Sequence, residues 1–119
     1  MIPFANRFHG HNSLRFLYKN GQAVRSRFAT LKSIKSPNRS KPRVAVVVAK
    51  KIHKSAVGRN RIRRRIYECI RQQMSKIDQS LDVVIIVSSS EMLTMPSAEL
   101  ELQMEELFKQ AGLYKNPLN

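Results

Sequence analysis

Apolar positions along the chain follow two periods, and each period predicts elements. Arg43 to Ala49 (RVAVVVA) is a β-branched run too short for a buried helix, so it predicts a strand. Its alternation gives Val44, Val46 and Val48 one bulky face and places Ala45, Val47 and Ala49 on the other, where small side chains let a neighbour approach. Asp82 to Val87 (DVVIIV) predicts another strand. The β-branched and aromatic content of Ala23 to Lys35 predicts further strands before a loop at Ser36–Pro42.

Three segments carry the helical period instead. Asn12 to Asn20 has Leu14, Leu17 and Tyr18 at helical spacing, an Asn or Ser to cap it and Gly21 to end it. Arg59 to Met74 (RNRIRRRIYECIRQQM) places Ile62, Ile66, Cys69, Ile70 and Met74 on one arc, with Arg61 and Arg65 on one flank and Asn60, Arg64, Tyr67 and Arg71 on the other. Ser97 to Ala111 turns Leu100, Met104, Leu107, Phe108 and Ala111 inward, and Pro96 with the Thr94 or Ser97 hydroxyl marks its start. The order predicts an α/β two-layer sandwich on one sheet. At 119 residues with no repeat or linker, 1–119 reads as one domain with room for a single core but not for a large active-site cavity.

Charge changes this picture from a plain sandwich to one with a polyanionic partner. The net charge is +14; the first 67 residues carry 18 Lys or Arg and no Asp or Glu, whereas residues 68–119 carry 4 basic and 8 acidic side chains. A segment that forgoes internal salt bridges on this scale repels itself, which a phosphate backbone would relieve.

The densest stretch is Arg59-Asn60-Arg61-Ile62-Arg63-Arg64-Arg65, close behind Lys50, Lys51 and Lys54. A helix N-terminus already carries partial positive charge, so stability alone would favour Asp or Glu there. Guanidinium forks donate paired hydrogen bonds to phosphate and stack on bases, and Asn60 suits a base edge, a ribose or a metal-held water.

Other chemistries find little support. Cys69 sits among apolar helix positions, cannot form an intramolecular disulfide and fits a reducing compartment. His9 and His11 have no third ligand of suitable type nearby. Paired carboxylates are missing from the basic half, Glu99, Glu101, Glu105 and Glu106 read as solvated faces of the last helix, and no Ser-His-Asp or Cys-His arrangement has supporting context. A DNA-binding regulator is disfavoured because neither a dimer heptad nor helix-turn-helix spacing is present. No apolar run approaches membrane-spanning length and the first twelve residues lack a secretory stretch, so the expected location is the cytoplasm, with no membrane partner. What remains is an RNA-binding protein, for which a structural, ribosomal-type role is one reading.

Val48-Ala49-Lys50-Lys51 followed by Ala56-Val57-Gly58-Arg59-Asn60-Arg61-Ile62-Arg63-Arg64 resembles the bacterial ribonuclease P protein subunit, whose hallmark is an Arg-Asn-Arg motif opening the central helix. Asn6-Arg7-Phe8, Tyr18-Lys19-Asn20-Gly21 and Leu93-Thr94 resemble further marks of that family, so the likeness spans nearly the whole chain. It implies the order α-β-β-β-α-β-α, a mixed four-stranded sheet and a left-handed crossover at the motif helix.

The resemblance also implies partners: the catalytic RNA subunit, which with Mg²⁺ hydrolyses precursor tRNA to release the 5′ leader, and the precursor itself, in a 1:1 complex of protein and RNA. Arg59, Asn60, Arg61, Arg63 and Arg64 would face the catalytic RNA and its metal ions, with Asn60 near a metal, and Lys50, Lys51 and Lys54 would support them. A leader-binding cleft between the sheet and the motif helix would use Tyr18, Lys32, Ala45, Val47 and Ala49, and a narrow cleft admits one unpaired strand but no duplex. Two positions depart from the family pattern. Leu14 stands where many members have an aromatic and is expected in the core; Gly58 before the motif suits a helix N-cap or close backbone approach to RNA.

Overall fold

The computed structural model describes residues 17, 19–35, 43–77 and 81–114. Strands β1 (Gln22–Arg25), β2 (Ala29–Lys35) and β3 (Arg43–Val47) precede helix α1 (Ala56–Gln73), strand β4 (Leu81–Val87) and helix α2 (Ser97–Ala111). Short 3₁₀ turns at Met74–Lys76 and Ser90–Leu93 follow α1 and β4. Most of the predicted helix Asn12–Asn20, Leu14 and Tyr18 included, and all of the loop Ser36–Pro42 lie outside the described residues. Leu17, Lys19 and Asn20 are helical. Gly21 N–H closes that turn on Leu17 O at 2.8 Å, and a methyl on Gly21 would lie 2.7 Å from the same oxygen.

The sheet order is β1-β2-β4-β3, with β1–β2 and β2–β4 antiparallel and β3–β4 parallel. This is the mixed four-stranded sheet expected, and α1 is the crossover that the parallel pair requires. Being central, β4 needs apolar side chains on both faces, and its LDVVIIV run is buried at six of seven positions. Val44, Val46 and Val48 do share a face, and it packs with Leu31, Val83 and Ile85 against Ile62, Ile66 and Ile70 of α1 and Leu100, Met104 and Phe108 of α2. Each fully buried aliphatic side chain there contributes about 1.5–3 kcal/mol.

Several boundaries move for physical reasons. Strand β3 stops at Val47 because Ala49 O accepts Ile52 N–H at 3.0 Å, so Ala49 opens a turn and is no longer part of the sheet face. Helix α1 begins three residues before Arg59, capped by Ser55, and ends at Gln73, whose side chain is buried while Met74 enters the 3₁₀ turn. Helix α2 has the predicted bounds, yet Pro96 occupies its N-cap without a side-chain hydrogen bond, so neither Thr94 nor Ser97 caps it.

Candidate nucleic-acid interface

Helix α1 presents its N-terminus to solvent with two fixings and an uncompensated dipole. Ser55 Oγ accepts Gly58 N–H at 3.3 Å, Ser55 O accepts Arg59 N–H at 3.0 Å, and no acidic residue lies in the first turn to offset the helix dipole. Gly58 therefore sits inside the first turn and not at the cap. The buried stripe is Gly58, Ile62, Ile66, Cys69, Ile70 and Gln73. Steps of 100° put Val57, Asn60, Arg61 and Arg64 on the opposite side, and all four are exposed.

The five arginines of the motif segment divide into two kinds. Arg59 Nη1 donates to the carbonyls of His53 and Lys54, both at 2.9 Å, and so braces the loop ahead of the helix. Arg63 Nη2 donates to Asn60 Oδ1. Arg65 turns away from the N-terminal face and donates to the carbonyls of Met92 and Leu93, each at 2.7 Å, and to that of Met95, tying α1 to the turn that leads into α2. The side chains of Arg61 and Arg64 are exposed and have no hydrogen-bond or ion-pair partner among the described residues, and the same holds for the side chains of Lys50, Lys51 and Lys54 in the β3–α1 loop. Five cations are thus held at one end of the molecule, aimed outward.

A directly ligated Mg²⁺ does not fit around Asn60. Its carbonyl oxygen is engaged by Arg63, its other neighbours on that face are Arg61 and Arg64, and hard cations require clustered anionic oxygens. Among the described residues no group of three or more His, Cys, Asp or Glu could hold a metal. Cys69 is buried, and burial, reinforced by Glu101, pushes its thiol up to about 11, which keeps it protonated and unreactive.

Of the residues assigned to a cleft, Lys32, Ala45 and Val47 do not lie between the sheet and α1, because that space is closed core. Strand register instead places them on the opposite face of the sheet. Lys32, Val84 and Ala45 form one row across β2, β4 and β3, and Thr30, Ile86 and Val47 form the next. Ala45 is buried in contact with Leu17 and Val84, so the neighbour its small side chain admits is the chain's own helical turn. Lys32 and Val47 are half-buried, Ala49 sits apart in its turn, and Tyr18 lies outside the described residues. At one end of this face Arg43 Nε and Nη2 bind Asp82 Oδ1 and Oδ2, both at 3.0 Å.

Sequence reasoning missed three features. The structural work of Arg59 and Arg65 leaves no local signature, since their acceptors are main-chain carbonyls, up to thirty residues distant for Arg65. Val57, 68% exposed at the centre of the basic face, was readable from the helical period once the helix is begun at Ala56.

Comparison with known proteins agrees with this layout. A protein component of ribonuclease P from Symbiobacterium thermophilum is 32% identical over 109 residues, covering 92% of this chain and 93% of that protein. Another from a Pseudanabaena species is 32% identical over 89 residues, covering 75% of this chain and 77% of its own length. The RNase P protein of Staphylococcus aureus superposes with a TM-score of 0.82 at 24% identity, over 92% of this chain and 98% of that one. That of Thermotoga maritima gives 0.78 at 20% identity, over 87% and 96%. These structures share the fold, and the family profile described as Ribonuclease P matches residues 2–112: the chain belongs to the ribonuclease P protein family.

Proposed function

We propose that this chain is the protein subunit of ribonuclease P, the ribonucleoprotein that removes the 5′ leader from precursor tRNA. The observation that carries the reading is the cluster of Lys50, Lys51, Lys54, Arg61 and Arg64, their side chains exposed and without partners among the described residues, around an α1 N-terminus that has no acid in its first turn. Such an end binds phosphate through main-chain N–H groups, the dipole and the guanidinium forks together. The catalytic RNA is the polyanion assigned to it, one protein to one RNA.

In this scheme hydrolysis belongs to the RNA and to Mg²⁺ held by the RNA, since the protein around Asn60 supplies cations and one engaged amide. The leader strand is assigned to the sheet face away from α1, where Lys32 and Val47 lie, with Tyr18 as a stacking partner. A half-apolar floor beside a lysine suits an unpaired strand, whose bases offer faces and whose backbone offers charge.

The test is stimulation of cleavage. Added to a bacterial ribonuclease P RNA at low Mg²⁺, the protein should accelerate processing of precursor tRNA, and the Arg61→Ala/Arg64→Ala double variant should do so weakly while keeping its circular dichroism. A ribosomal-type RNA-binding protein would bind without accelerating, and that result would refute the proposal. Replacing Tyr18 should weaken precursor tRNA more than mature tRNA; equal losses would remove it from the leader site.

A further inference from the structure

The β3–α1 loop holds Lys50, Lys51 and Lys54 within five positions, so it repels itself and must be fixed by other groups. Two fixings are the Ile52 side chain, which packs on the core, and Arg59, whose guanidinium sits under the carbonyls of His53 and Lys54. The third is the His53 ring. Its Nδ1 accepts Ser55 N–H at 3.2 Å, and its edge lies against the first turn of α1 where Gly58 has no side chain. A methyl on residue 58 would stand 2.7 Å from His53 Nε2 and closer still to Nδ1 and Cε1. Glycine is a poor helix residue, yet here it is buried in a turn whose neighbours Ala56 and Val57 are exposed.

We propose that His53 is a positioning residue for the phosphate-binding loop and that Gly58 is its seat: the imidazole rests on the bare face of the helix and holds the loop lysines at a fixed distance from the helix N-terminus. This rests on the reading that this end of α1 meets RNA. Cations already ordered before contact bind phosphate without the entropic loss of ordering them, so the ring acts on affinity while touching no RNA.

The experiment measures binding of full-length variants to a bacterial ribonuclease P RNA across a salt series, with circular dichroism confirming folding at the assay temperature. His53→Ala keeps every cation, so affinity should fall about tenfold at each salt concentration with the slope of log K against log [salt] unchanged. Gly58→Ala displaces the ring and should produce a similar loss. The His53→Ala/Gly58→Ala double variant should bind no worse than His53→Ala alone, because both changes remove the same contact. His53→Asn offers a shorter acceptor for Ser55 N–H, should recover part of the loss, and should tolerate Gly58→Ala.

Parent affinity in His53→Ala overturns the positioning role, as do losses that multiply in the double variant. A reduced slope in His53→Ala also overturns it, by showing that the ring meets phosphate itself. A parent chain with no affinity for the RNA overturns the functional reading and this role with it, an outcome distinct from all the others.

Discussion

Replacing Arg65 with alanine deletes a guanidinium that donates to the carbonyls of Met92, Leu93 and Met95. A hydrogen bond from a charged group contributes about 1.5–3 kcal/mol, so three at the lower end of that range amount to about 4.5 kcal/mol. The side chain is half-buried, and water reaching the abandoned carbonyls recovers about half, leaving an expected destabilisation of about 2–3 kcal/mol. Against a total stability of about 5–15 kcal/mol that loss is plain in urea unfolding followed by circular dichroism, as a lower midpoint at constant m. Arg65→Lys keeps the charge but its compact ammonium cannot reproduce the fork, so it should recover about one bond of the three, near 1 kcal/mol. Arg61→Ala, four positions earlier and exposed, is the matched control. An Arg65→Ala stability within about 0.5 kcal/mol of Arg61→Ala would refute the argument that Arg65 latches α1 to the following turn.

The converse holds for RNA: Arg61→Ala and Arg64→Ala should each lower the salt slope of binding by roughly one while shifting stability by less than about 0.5 kcal/mol, as read by filter binding and urea melts. Asp82→Ala removes a carboxylate that is only 4% exposed and with it both of its hydrogen bonds to the Arg43 guanidinium, and should cost about 3–5 kcal/mol in urea unfolding, with an Arg43→Met/Asp82→Leu double variant losing less. The raised Cys69 thiol gives a pH signature. Its folded value is about 11 against an ordinary 9.0, so the neutral thiol favours the fold fully below pH 9 and that contribution is lost as pH rises from 9 towards 11. Stability in that window should fall more steeply for the parent than for Cys69→Ala, and native protein at pH 8 should resist iodoacetamide while the urea-unfolded chain reacts.

Much of the architecture is legible in the residues because it rests on period and burial. The valines of β3 sort by parity onto two faces, and α2 keeps its predicted bounds because Pro96 and the Leu100, Met104, Leu107 and Phe108 stripe fix it at both ends. Illegible parts depend on tertiary contact. Gly58 discourages an early start to α1 on propensity, and only the His53 ring explains why glycine belongs inside that helix. Parity separates Ala45 and Val47 from Val44 and Val46 but cannot say which face meets α1, so the expected cleft fell on the wrong side of the sheet. Counting arginines likewise locates the basic end without separating Arg61 and Arg64, which face solvent, from Arg59 and Arg65, which hold main chain.

Tyr67 carries a consequence for how the protein survives before RNA reaches it. Strand β3 is an outer strand, and Val46 N–H on its open side donates at 3.1 Å to the Tyr67 hydroxyl arriving from α1. That removes a rung from the ladder an incoming strand would need. At the far margin β1 is only four residues long and bears Arg25, a charge that discourages stacking of one sheet beside another. Both borders of the sheet are therefore poor templates for self-association, which matters for a chain whose charge keeps molecules apart only until a polyanion neutralises it.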